Sequence, residues 1–349
     1  MKRKKKKDTV ETAQTAGVKD SGSTRRSDLV PTGSTLLNLA LSNTPYGGYR
    51  LGRITNLIGD WHSGKTWLFW QSMAEVVRDK RFDKYDIYYD GAEGATDIPV
   101  VDLFGSKILR VDTGKKSVSL EDFFSNIFGL IEKGKPFIYC LDSLDSIFAN
   151  EQRDKKVEEV GKREIPSEPR VFNSILRRIH DGIDKTESAL FVISQTRKAI
   201  GVIFGSQQRR AGGDALHFHS WHELWLSIRS QVKKRVRGKD RSVGIIIKIR
   251  IEKNKVTGKR QMIQIPLLTD FGLDETGSLI DWLVNEEKIW NTKKEGVKTV
   301  IESDFGTLSR EALIAHIEED GLENDLRELV VKEWFDIENA TKTNRKKRY

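Results

Sequence analysis

The run Gly59-Asp60-Trp61-His62-Ser63-Gly64-Lys65-Thr66 limits what this chain can fold into more than any other stretch. It fits G-x-x-x-x-G-K-[ST], and its flanks fit what that pattern requires. Before it, Arg53 to Ile58 reads as a buried strand. After it, Trp67 to Val77 carries apolar residues at helical spacing. A strand, a glycine-bracketed turn and a helix start aim backbone N–H groups at one point, and the helix dipole adds positive potential there. That is a cradle for a nucleotide triphosphate. Lys65 can reach the β- and γ-phosphates, and the Thr66 hydroxyl can ligand Mg²⁺. The plainer reading, a glycine-rich turn beside an ordinary surface lysine, leaves the matching flanks unexplained.

Four more apolar runs follow with helical stretches between them: Tyr85–Tyr89, Lys107–Val111, Phe137–Leu141 and Ala189–Ile193. Strand alternating with helix predicts an α/β fold with a mostly parallel sheet covered on both faces. Next, Glu223–Ile228, Val243–Ile251 and Gln261–Leu267 are closely spaced with no helix between them, which suits an antiparallel extension of that sheet. Ser34 should cap a short helix over Thr35–Leu41. Beyond Asp281, Ser309–Glu318 and Glu323–Trp334 have helical period and suggest a small α+β C-terminal domain. The expected organisation is a flexible basic arm over 1–30, an ATPase core over 31–275, the C-terminal domain over 276–341 and a basic tail over 342–349.

Composition narrows the setting. No apolar run approaches the ~18 residues that a membrane span needs, and the basic start leads into polar residues rather than the apolar core of a secretory signal. The single cysteine, Cys140, excludes an internal disulfide and fits a reducing cytosol. The net charge is +9, but Lys2 to Lys7 and Arg345 to Arg348 account for it, so the body is close to neutral. Evidence for a nucleic-acid surface has to come from the distribution within the body. There, Arg229–Arg260 holds thirteen Lys and Arg against Asp240 and Glu252. Part of this is a solvated strand face; phosphate binding is the functional reading.

Several strand ends carry candidate chemistry. Phe137–Leu141 ends in Asp142, placed to support Mg²⁺ beside the cradle; its other reading is a cap on the next helix. Ile87–Tyr89 ends in Asp90, with Glu93 three residues on. Either acid could polarise the water that attacks a γ-phosphate, and spacing alone does not choose between them. Ala189–Ile193 leads to Gln195, which can touch the γ-phosphate and report its loss to the following loop. That loop, Lys198 to Gly213, is bounded by glycine, carries Arg209 and Arg210, and is preceded by Arg197. A long stretch without apolar period inside a compact domain is either functional or simply mobile. Asn150–Pro169 is a second irregular region, followed by a helix with Arg170, Arg177 and Arg178. Trp61 sits inside the cradle, whereas Trp67, Trp70, Trp221, Trp225 and Trp282 suit core or interface packing better than base stacking. His217, His219 and His222 cluster without metal-ligand spacing.

The order of these parts resembles the RecA-family recombinases from about Thr32 to about Ile289. The likeness rests on Thr32-Gly33-Ser34, Gly52-Arg53-Ile54, the cradle, Ala92-Glu93-Gly94-Ala95-Thr96-Asp97 and Leu141-Asp142-Ser143. It is closest from Gln195 through Gly205 and over Ala211-Gly212-Gly213-Asp214-Ala215-Leu216, and Lys253-Asn254-Lys255 matches a further family motif. The resemblance implies a RecA-like P-loop ATPase core in which Gly59 to Thr66 and Asp97 hold ATP. Glu93 would be the water-activating base, Thr66 and Asp142 would serve Mg²⁺, and Gln195 would couple the γ-phosphate to the second DNA loop. It further implies DNA loops near 157–170 and 196–213, with Arg170, Arg177, Arg197, Gly212 and Gly213 at matching positions; Lys198, Arg209 and Arg210 lie in the second loop and are expected on the DNA by their charge. Lys253 and Lys255 would reach the nucleotide of a neighbouring subunit.

Four departures accompany the likeness, one being that Arg209 and Arg210 stand where relatives carry small polar residues, which should strengthen phosphate contact. The N-terminal region reads as a basic arm where relatives carry a docking helix, the cradle interior Asp60-Trp61-His62 is unusual, and the tail is basic. These fit a divergent, phage-type member. The function implied is a cytoplasmic DNA-dependent ATPase, in a bacterial or phage-infected cell, acting in DNA recombination and repair. It would form a filament or ring on single-stranded DNA and pair it with homologous duplex DNA. Two alternatives stay open: a helicase or motor of the same superfamily, and a non-hydrolysing DNA-binding scaffold.

Overall fold

The computed structural model describes residues 25–94, 98–147, 169–198, 208–210, 213–296, 298–343 and 345. The strands are β1 (Leu29–Val30), β2 (Tyr49–Arg50), β3 (Arg53–Gly59), β4 (Asp86–Asp90), β5 (Val111–Asp112), β6 (Phe137–Leu141), β7 (Ala189–Lys198), β8 (Gln208–Arg210), β9 (Ser220–Val236), β10 (Lys239–Asn254), β11 (Met262–Leu268), β12 (Gly272–Leu273), β13 (Asn291–Glu295), β14 (Lys298–Ser303) and β15 (Gly306–Leu308). The helices are α1 (Thr35–Ser42), α2 (Lys65–Val76), α3 (Val100–Phe104), α4 (Leu120–Lys133), α5 (Pro169–Lys185), α6 (Gly213–His219), α7 (Glu275–Asp281), α8 (Arg310–Glu319) and α9 (Glu323–Ala340).

One large sheet runs in the order β12-β11-β10-β9-β3-β7-β6-β4-β5. From β9 to β5 neighbouring strands are parallel, and from β9 to β12 they are antiparallel. The α/β class, the parallel centre and the antiparallel extension are therefore as the strand pattern implied. In the parallel part β3, β4, β6 and β7 end on the same edge, because Gly59 pairs with Gln195 and Asp90 with Leu141. In open α/β sheets that edge is where ligands bind.

Two apolar clusters cover the sheet. One gathers Leu57, Phe69, Trp70 and Ile249, and extends to Leu279, Trp282, Leu313, Val330 and Trp334. The other packs α4 and α5 on the opposite face through Phe123, Ile127, Leu176 and Ile179. Burial of each such side chain contributes roughly 1.5–3 kcal/mol. The elements after residue 276 thus share a core with the sheet. Glu275 Oε1 accepts from the Thr35 N–H at 2.9 Å, and Trp334 Nε1 donates to Asn43 at 3.0 Å.

Local chemistry supplies the expected cap at Ser34 and a further one at Ser309. Ser34 accepts from the Leu37 N–H at the start of α1, and Ser309 from the Ala312 N–H at the start of α8. One expected strand is corrected. Ser106–Arg110 forms a 3-10 turn, and strand pairing begins at Val111. The run buries Ile108 but leaves Leu109 69% exposed, so its apolar residues anchor one side of a turn instead of alternating across a sheet. The hairpin of β9 and β10 also extends past its buried part: residues 233–236 and 239–242 are exposed, so it projects from the sheet as a two-stranded arm.

Candidate active site

The cradle spans the end of β3 and the start of α2. Gly64 begins the helix at φ 91, a left-handed value that favours glycine, and an added Cβ would lie 2.4 Å from Ile247 Cδ1. At Gly59 an added Cβ would lie 2.4 Å from the Leu226 carbonyl oxygen and 2.5 Å from Ser63 Oγ. Close packing requires glycine at both positions, and the left-handed backbone requires it at Gly64 as well. Between them His62 is left-handed, with φ 57. Trp61 points outward and is 69% exposed.

Lys65 Nζ donates to the carbonyls of Gly59 at 2.9 Å and Asp60 at 2.7 Å, which holds the ammonium over the loop. Burial lowers its pKa, and Asp142, Glu93, Asp60 and Asp145 oppose that shift. Thr66 Oγ1 donates to Asp142 Oδ2 at 2.6 Å, and the Tyr89 hydroxyl donates to the same oxygen at 2.9 Å. Burial raises the Asp142 pKa, against the two hydrogen bonds and Lys65, which lower it. Among the described residues, Ser63 Oγ is buried in the cradle with no hydrogen-bond partner. An unpaired hydroxyl inside a ring of backbone donors fits a phosphate. The adjacent Thr66 and Asp142 oxygens fit a hard divalent ion such as Mg²⁺.

The two candidate bases separate clearly. Asp90 is fully buried and accepts from the Ser117 N–H at 2.8 Å, from the Ser117 hydroxyl and from the Tyr139 hydroxyl. It ties β4 to its neighbours. Glu93 lies at the strand-end edge, with its N–H on the Asp142 carbonyl at 3.1 Å. Its Oε1 accepts from Gln195 Nε2 at 2.6 Å and from the Ser143 hydroxyl. The fold therefore brings Lys65, Thr66, Asp142, Glu93 and Gln195 to one edge.

The polynucleotide candidates are spread out. Arg197 and Lys198 end β7, which pairs with β8 so that Arg197 faces Arg209 and Thr196 faces Arg210. These four basic residues share a short ribbon that starts just after Gln195. Gly213 opens α6 and Arg170 lies in the first turn of α5. Asp97, Gly212 and the stretch 157–168 lie outside the described residues. Arg177 lies elsewhere: with His180, Phe218, His219, Trp221 and Lys255 it lines a groove of about 280 Å³. That groove is at the start of β3, because Trp221 precedes His222, the partner of Thr55.

Lys253 and Lys255 belong to this far end too. Lys253 is paired with Glu223, itself beside Asn56, and its Nζ donates to the carbonyls of His217 and Phe218. Lys255 lies over the Trp221 ring at 5.0 Å. Neither is at the cradle end of its own subunit. Sequence reading missed Tyr89, Ser143, Asp145 and Thr196, which hydrogen-bond the edge residues. The spacing of Asp145 from Asp142 was the available signal. Asp145 Oδ2 accepts from the Gln195 N–H at 2.6 Å.

A family model of the RecA N-terminal domain matches residues 16–274. Protein RecA of Lactobacillus johnsonii is 30% identical over 272 residues, covering 76% of this chain and 69% of that protein. Protein RecA of Enterococcus faecalis is 29% identical over 265 residues, covering 74% and 70%. Protein RecA of Enterococcus mundtii is 28% identical over 276 residues, covering 76% and 74%.

Proposed function

This chain is a divergent member of the RecA family, and from that premise we propose that it is a DNA-dependent ATPase that assembles on single-stranded DNA and pairs it with homologous duplex in recombination and repair. The observation that carries the reading is Glu93 Oε1 receiving Gln195 Nε2 at 2.6 Å, one residue before the basic ribbon. The group expected to position water and the amide expected to sense the γ-phosphate are in direct contact.

In this reading the backbone N–H groups of 60–66 hold the phosphates and Lys65 moves from the Gly59 and Asp60 carbonyls onto the terminal phosphates. Thr66 and Asp142 hold Mg²⁺, which when bound neutralises charge on the phosphate oxygens. Glu93 orients the attacking water and accepts its proton. To do so its carboxylate first gives up the Gln195 amide for that water, so the strand tip at Gln195 moves with the state of the nucleotide. Arg197, Lys198, Arg209 and Arg210 grip the phosphate backbone when the ribbon is ordered. The exposed β9–β10 arm, with Lys233, Lys234, Arg235, Arg237, Lys239 and Arg241, is a second basic surface for polynucleotide. Lys253 and Lys255, remote from their own cradle, act on a neighbour's nucleotide in a head-to-tail oligomer, as an arginine finger does.

ATPase rates with and without single-stranded DNA, together with pairing of a labelled strand to homologous duplex, test this. DNA-stimulated hydrolysis and pairing are expected. Processive unwinding of a forked duplex would favour a motor, and absence of turnover would leave a scaffold. Equal affinity for single strands without nucleotide, with ADP and with ATP would sink the proposed coupling.

A further inference from the structure

Asp60 is the second residue of the cradle, where a carboxylate is electrostatically out of place. Lys65 Nζ rests on the Asp60 carbonyl at 2.7 Å, which puts Asp60 at the end of the loop that the terminal phosphates approach. Like charges at that range repel, so the carboxylate must be held away from the phosphates. It has a partner there: Asp60 Oδ1 accepts a hydrogen bond from Thr196 Oγ1.

Thr196 follows Gln195 on β7 and is the register partner of Arg210 in the ribbon. The strand tip is therefore held by three acids. Glu93 takes the Gln195 side chain, Asp145 takes the Gln195 N–H at 2.6 Å, and Asp60 takes the Thr196 hydroxyl. Of these three, Asp60 alone is part of the phosphate loop. We infer that the Asp60–Thr196 hydrogen bond is a second coupling route, by which the contents of the cradle set the position of the basic ribbon independently of Gln195. Asp60 and Thr196 act here as positioning residues. The Asp60–Thr196 bond is already made while Lys65 rests on the Asp60 carbonyl. A terminal phosphate that draws Lys65 away removes the cation that competes with Thr196 for the Asp60 carboxylate, which tightens that bond and steadies the ribbon. A diphosphate lacks the γ-charge and does so less. This inference rests on the proposed nucleotide-controlled DNA site.

The test is fluorescence anisotropy of a labelled oligo-dT with the full chain, in ADP and in a slowly hydrolysed ATP analogue. The readout is the ratio of the two affinities. Thr196→Val and Asp60→Asn should each lower that ratio about tenfold. Thr196→Ser should restore it, and the double variant should be no worse than either single. A wild-type protein that responds to nucleotide, with single variants that keep the full ratio or a double variant whose losses multiply, would overturn the Asp60–Thr196 route while leaving Gln195 in place. A wild-type protein with no response at all would overturn the underlying reading and this route together.

Discussion

The two ends of β3 present opposite chemistry. Its C-terminal end, at Gly59, faces Asp60, Glu93, Asp142 and Asp145, all bonded to hydroxyl or amide groups of their own subunit. Its N-terminal end faces Arg177, Lys253 and Lys255, together with His180 and Asp181, and with Phe218 exposed beside them. In the proposed head-to-tail oligomer these two poles complement each other between copies, the acidic one needing cations for phosphate chemistry and the basic one having no phosphate cradle among its described residues. A parallel sheet makes such polarity possible, because its strand ends are not equivalent and the cradle can occupy only one edge.

The largest expected effect breaks the acidic pole. Glu93→Gln should lower turnover by up to about 10⁴ while ATP still binds; unchanged turnover in a coupled phosphate-release assay would remove Glu93 from its role. Next comes the basic pole. Lys253→Ala with Lys255→Ala should cut DNA-stimulated hydrolysis by about 10³. Mixing that protein with Glu93→Gln should recover part of the activity, since mixed contacts join a sound cradle to sound lysines. If mixing recovers nothing, the two poles do not meet between copies.

A third prediction concerns what holds the basic pole together. His222 is fully buried, its Nε2 accepts from the Arg50 N–H, and burial together with Arg50 lowers its pKa to about 3. The unfolded chain binds the proton from pH 6.5 downward and the folded one does not, so stability is lost as pH falls from 6.5 toward 3. By pH 5 this amounts to about 2 kcal/mol. Urea unfolding at pH 7 and pH 5 should show that loss, and His222→Gln should flatten it. The smallest effect is on DNA. Arg209→Ala with Arg210→Ala should weaken single-strand binding about tenfold and reduce the salt slope by about 1.4. An unaltered slope would take the ribbon off the backbone.

How much of this was legible in the sequence varies by residue. The cradle, its strand and its helix were, because glycine spacing and apolar period are local signals. Asp142 and Gln195 were legible as polar residues closing apolar strands. Glu93 and Asp90 could not be separated, because both follow the same strand. What separates them is Ser117 and Tyr139, which are distant in sequence and consume the lone pairs of Asp90. The Lys107–Val111 run misled because a buried Ile108 beside an exposed Leu109 satisfies a composition test without alternating across a sheet. The β9–β10 arm outran its apolar runs because ladder hydrogen bonds need a partner strand, not a core.

The sequence by itself determined the order of strands and helices, the phosphate turn and the basic stretches, since each follows from neighbours along the chain. Only the tertiary structure decided which acid faces the cradle, that Asp60 is tied to Thr196, and that Lys253 and Lys255 lie at the opposite end from their own phosphate loop. Those relations depend on strand register and on contacts between residues that are not neighbours along the chain, such as Asp60 and Thr196, where hydrogen-bond distance, not sequence spacing, selects the partner.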